Sequence, residues 1–152
     1  MPARPTLVVV LLALLLLVAC GEAGEPDLEV GAARAAEPAG GASQVVVDVT
    51  NHGDGADTLQ GAQSTAAGAV EVHRTEVDDG RAEMRELDEV EIPAGETVRF
   101  RPGGLHLMLV VPDEQVTRGG TFPVVLHFAR SGDLTVEVEV VGYEDLLDAA
   151  EE

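Results

Sequence analysis

Three stretches of this 152-residue chain alternate strictly enough to demand extended backbone. In the first, Val45, Val47 and Val49 alternate with Val46, Asp48 and Thr50. In the second, Val124, Leu126 and Phe128 share a face; in the third, Leu134, Val136, Val138 and Val140 alternate with Thr135, Glu137 and Glu139. A period of two places each apolar set on one side of a strand, against a core. Leu28 to Ala36, Val70 to His73, the segment around Met84 and Thr97 to Phe100 are further strand candidates. Gly- and Asp-rich turns at Asn51 to Gly55 and Asp78 to Gly80, and Pro93-Ala94-Gly95, separate them, with loops at Pro38 to Gly41 and Pro112 to Gly120. Many short strands between such turns predict an all-β antiparallel sandwich or barrel. With three Phe and one Tyr, its core must be built from valine and leucine. Only Tyr143 to Glu152 reads as helical, an acidic tail expected to fray.

The N-terminus decides the compartment. After Arg4, Leu7 to Val18 form a twelve-residue apolar run. That is short of the ~20 residues a membrane span needs and matches the hydrophobic core of an export signal. It ends in Leu17-Val18-Ala19-Cys20-Gly21, which resembles the lipobox of bacterial lipoproteins. The resemblance implies that Cys20 is acylated and becomes the first mature residue. Two or more acyl chains, at about 0.8 kcal/mol per buried methylene, would hold the protein on a membrane. The expected organisation is a signal peptide over 1–19, the lipidated cysteine and an acidic tether over 20–27, a β-domain over 28–142 and the tail over 143–152. Cys20 is the sole cysteine, so the extracytoplasmic domain has no disulfide, thiolate ligand or cysteine nucleophile. With 28 acidic residues against 9 basic, it repels phosphate backbones, which excludes nucleic-acid binding. The same surface attracts cations in a salt-dependent way.

Chemistry concentrates in Gly103 to Val110. As a strand, this run puts His106 and Met108 on one face and Leu105, Leu107 and Leu109 on the other. Beyond Met1 the chain has two methionines, Met84 and Met108, and four histidines, His52, His73, His106 and His127. Four of these six fall in the pattern H-x10-M-x21-H-x-M, from His73 through Met84 and His106 to Met108. This closely resembles the signature of the periplasmic copper chaperones called PCuAC. Similar residues extend to Ala33-Arg34, Asn51 with Gly53, Leu59, Glu71, Asp79-Gly80, Ile92 to Gly95, Gly103-Gly104, Leu109 and Gly132. The resemblance implies a cupredoxin-like β-sandwich in which His73, Met84, His106 and Met108 bind Cu(I). It also implies delivery to the dinuclear copper centre of cytochrome c oxidase, through its copper subunit or an assembly factor.

Ligand chemistry agrees: neutral thioethers and imidazoles suit Cu(I) and discriminate against harder divalent ions. A blue-copper carrier would need a thiolate, and a catalytic zinc site a cluster of His and carboxylate that the spacing does not provide. No nucleophile motif or phosphate loop points to an enzyme. His52 and His127 read as structural or exposed. Glu71, Glu76 and Glu83 lie near the expected ligands in sequence, but acids are so frequent in this chain that proximity means little, and no role in orienting an imidazole is assigned to any of them. Three departures from the family stand out. Ala32 replaces an aromatic residue, Val77 and Ala82 replace extra methionines, and the tail lacks the Met and His of a second Cu(II) site. Two alternatives remain: a copper-buffering or tolerance lipoprotein, and a metal-free β-sandwich serving as an interaction module.

Overall fold

The computed structural model describes residues 24–151, so the export segment and Cys20 lie outside the described residues. Among the described residues, eleven strands are followed by one helix: β1 Leu28–Val30, β2 Ala33–Ala36, β3 Ala42–Asn51, β4 Asp57–Gln63, β5 Ala67–Asp78, β6 Arg81–Glu86, β7 Val90–Ile92, β8 Thr97–Phe100, β9 Leu105–Pro112, β10 Thr121–Phe128, β11 Gly132–Val141 and α1 Tyr143–Glu151. Seven of them close a barrel in the order β5-β9-β3-β2-β11-β10-β4, and β4 returns to β5 where Ala62 opposes Val70. The remaining four are flanking strands: β6 extends β5, β7 extends β4, and β1 and β8 pair with the outer half of β3. Every pairing is antiparallel except β2 with β11.

The three alternating runs become β3, β10 and β11, and their inward residues build the core. Val45, Val47, Val49, Val124, Leu126 and Val138 are fully buried, joined by Leu59, Ile92, Phe100, Leu107, Leu109 and Phe122. Leu28 to Ala36 is two strands rather than one. From Val30 to Arg34 the chain advances four residues while its partner β3 advances three, from Val49 to Val46. The extra residue is a bulge at Gly31-Ala32, which hands the chain from β1 to the barrel strand β2. Strands β4 and β7 escape pattern reading because one carries a single large apolar residue, Leu59, and the other spans three residues.

Two segments expected to be loose are tied down. In the tether, residues 24–27 lie against the turn after β3: His52 N–H donates to Asp27 O (2.7 Å) and Gly55 N–H to Glu25 O (3.2 Å). Gly53 permits this approach, since a Cβ there would meet Glu25 O at 2.2 Å. Asn51, fully buried, organises the turn, accepting from Asp27 and Gly53 N–H and donating to Gly55 and Ile92 carbonyls. The C-terminal tail does not fray over its first turns. Leu146 of α1 is fully buried against Ala36 and Val46, which explains why the outward face of β3 carries a valine. Among the described residues no helix is long and apolar enough to cross a membrane.

Asp57 staples the start of β4 to the β10–β11 turn. Its carboxylate accepts from the N–H of Thr58 (2.7 Å), Arg130 (2.9 Å) and Ser131 (2.8 Å). Burial acts to raise its pKa, but the Ser131 hydroxyl and these amides together outweigh it and hold the group below its ordinary 3.8. The unfolded chain therefore takes up this proton at a higher pH than the native state. The stabilisation is complete above the ordinary value and is lost as pH falls through the folded one. Asp57→Asn should cost about 1–3 kcal/mol at neutral pH. Urea unfolding from pH 7 to pH 3 should show a shallower acid slope for the variant than for the wild type.

Candidate metal centre

The site is laid out on three neighbouring strands, β6, β5 and β9. Antiparallel register sets His73 opposite His106 on one side and opposite Glu86 on the other. One rung away, Glu71 opposes Met108; one rung the other way, Thr75 opposes Met84. Directly opposed residues share a face, so all of these side chains emerge on the same side of the sheet. The intervening residues Val70, Val72, Leu107 and Leu109 are buried in the barrel core and pin the register. A slip of one residue would exchange core and site faces, at the expense of the whole apolar set.

Three of the four expected ligands are brought together. The His73 and His106 rings meet edge to face with centroids 5.9 Å apart. His106 is fully buried, Met108 nearly so, and the His73 side chain is 17% exposed. Met84 stands apart on the edge strand β6, 57% exposed, diagonal to His73 across one strand spacing. A diagonal Cα separation of about 7–8 Å is within the reach of a long unbranched side chain. The structure thus places three of the expected donors together, with the fourth, the Met84 thioether, at their solvent margin.

The imidazoles carry the most informative atoms. His106 Nδ1 lies 3.0 Å from Gly104 O. A carbonyl can only accept, so Nδ1 holds the proton and Nε2 holds the lone pair. That Nε2 is buried with no hydrogen-bond partner, and so is Nδ1 of His73. Gln44, opposite Met108 on β3, adds a third buried heteroatom without a partner, Oε1. An unsatisfied buried polar atom costs on the order of 1–3 kcal/mol, so three on adjoining rungs of β3, β5 and β9 mark a site built for something other than stability. The donor set of two imidazoles and two thioethers fits a soft monovalent ion. The turn that supplies Gly104 needs Gly103, whose φ of 75° is in the left-handed region.

Among the acids, Glu76 and Glu83 oppose one another on the other face of the hairpin, away from the site. Glu71 and Glu86 do converge on His73, the donor atoms of all three lying within 4.8 Å of one another. Glu86 went unread in the sequence, although its spacing of two from Met84 places it on the ligand face. Gln44 had no sequence signal at all. His52 is paired with Glu29 (2.9 Å) and His127 with Asp133 (2.7 Å), both far from these rungs along the chain.

Burial of His106 lowers its pKa below the ordinary 6.5, and the nearby His73 charge lowers it further, against an opposing contribution from the Gly104 carbonyl. The unfolded chain thus binds this proton more readily than the native state. The neutral ring's contribution to stability is complete above about pH 6.5 and is lost as pH falls towards the depressed native value. Metal-free protein should therefore lose urea resistance between pH 7 and pH 5, and His106→Leu should flatten the profile in that window.

Residues 27–140 match the family model described as "Putative lipoprotein LpqE-like". The protein "Putative lipoprotein Lxx21020" of Leifsonia xyli subsp. xyli is 35% identical over 94 residues, covering 61% of this chain and 57% of its own length. This chain thus matches little more than half of that relative. Among solved structures, the copper-bound PCuAC domain from PmoF2 superimposes with a TM-score of 0.64 at 23% identity, over 76% of this chain and 92% of that domain. The solution structure of Cu(I)-DR1885 from Deinococcus radiodurans gives 0.61 at 25% identity, over 75% and 77%. The barrel described above is therefore the cupredoxin-like fold of PCuAC domains, and by its sequence the chain belongs to the LpqE-like lipoprotein family.

Proposed function

We propose that this protein is an extracytoplasmic Cu(I) carrier, held at the membrane through acylated Cys20, with His73, Met84, His106 and Met108 as the copper ligands. The observation that carries the reading is the pair of buried, partnerless imidazole nitrogens beside the buried thioether of Met108. The copper-bound PCuAC domain of PmoF2 and Cu(I)-DR1885, which share this fold, support it. Four neutral donors leave the ion's charge uncompensated, which favours handing it on over permanent storage. The acidic surface, at a formal net charge of −19, raises the local concentration of cations.

Transfer needs no covalent step. A partner's ligand displaces the most accessible donor first, and that donor is Met84, which stands in solvent on an edge strand. His73 is partly exposed and follows; His106 and Met108, the buried donors on β9, release last. The recipient in this reading is the copper subunit of cytochrome c oxidase or one of its assembly factors.

Titration with Cu(I) against a competing chelator should give tight 1:1 binding. Met84→Ala with Met108→Ala should weaken it by at least tenfold; unchanged binding in the double variant would sink the ligand assignment. In cells, deleting the gene should lower oxidase activity, and added copper should restore it. Copper sensitivity with normal respiration would instead assign the same site to buffering.

A further inference from the structure

The two histidines are held in different ways. His106 is oriented by the main chain, through the Gly104 carbonyl of its own turn. His73 is oriented by a side chain: its Nε2 lies 2.9 Å from Glu71 Oε2, two residues back on the same strand face. Among the described residues the partner of that nitrogen is Glu71, and Nδ1, the other ring nitrogen, is buried without a partner. The Glu71 side chain is one-third exposed and the His73 side chain 17%, so the bond is partly screened from water on a strand held by the core residues Val70 and Val72.

An ionised carboxylate has no proton to give. For the 2.9 Å contact to be a hydrogen bond, Nε2 must carry the proton, and the lone pair of a neutral ring then resides on Nδ1. We infer that Glu71 is a positioning residue which fixes His73 as the Nε2–H tautomer and so presents Nδ1 to the metal. His106, by contrast, presents Nε2. The two rings use opposite nitrogens because they enter the site from facing strands, one anchored on its Nε2 side by Glu71 and the other on its Nδ1 side by Gly104. Glu86 is a built-in comparison. Its carboxylate is also within 4.8 Å of the His73 and Glu71 donors, but it is exposed on the edge strand, and among the described residues the ring's hydrogen bond is to Glu71. Glu71 also opposes Met108 across the ladder, so one carboxylate borders two proposed ligands on two strands.

The inference rests on the copper reading for its purpose, but its structural half can be tested without metal. Long-range 15N–1H correlation spectra of the 15N-labelled, metal-free protein at pH 7.5 should show His73 protonated on Nε2 with a bare Nδ1. Glu71→Ala should shift His73 towards a mixture of tautomers and lower Cu(I) affinity by about 10–100-fold, the usual cost of removing such a partner. Glu71→Gln, whose amide oxygen can still accept from Nε2–H, should restore the tautomer and most of the affinity. It also keeps the side-chain volume should the alanine variant fold poorly. Glu86→Gln should leave tautomer and affinity unchanged. An Nδ1–H tautomer in the wild type, or a tautomer and affinity indifferent to Glu71→Ala, would overturn the assignment. Absence of Cu(I) binding by the wild type would overturn the copper reading instead, and the metal-free tautomer would still decide the role of Glu71.

Discussion

The pairing of β5 with β9 is the contact on which both barrel and site depend. It runs from Ala67 opposite Pro112 to Arg74 opposite Leu105, and it joins segments more than thirty residues apart in sequence. Its inner face supplies Val70, Val72, Leu107 and Leu109 to the core, and its outer face carries Glu71, His73, His106 and Met108. Because strand side chains alternate, burying one set compels the other to share the opposite face. The hydrophobic effect therefore fixes the site's geometry without any direct contribution from the ligands.

That arrangement also explains how the chain tolerates donor atoms that weaken it. Buried nitrogens without partners at His73 and His106 are a local cost, carried by a closed seven-stranded barrel that leaves few free edges at the site. The edge that remains is β6, whose residues are all exposed and which bears Met84. Rigidity lies at the inner donors and accessibility at the outer one. In the proposed carrier, which must hold an ion and still release it, this gradient of burial would serve both needs.

Pattern reading recovered the fold class because three runs, in β3, β10 and β11, are long enough for alternation to be unambiguous. It missed β4, where Gly and Gln leave Leu59 as the only large apolar residue, and β7, which is too short to show a period. It also misjudged two polar segments. The acidic residues before Leu28 dock through backbone hydrogen bonds, which composition does not reveal. The tail is anchored by one leucine, Leu146, whose burial depends on the outward-facing Val46 of β3.

For the site, the sequence by itself determined which donors are available: one cysteine outside the domain, two methionines beyond the first and four histidines, of which the resemblance to PCuAC domains points to two. Two residues apart on a strand also placed His106 with Met108. Only the tertiary structure decided that His73 faces His106 and that Met84 lies outermost. It also singled out Glu71, rather than Glu76 or Glu83, as the carboxylate bonded to the ring. Residue type and short-range spacing are local properties, written in the order of the chain. Register between strands is set by how the apolar residues of both pack into one core, and that packing exists only once the barrel has closed.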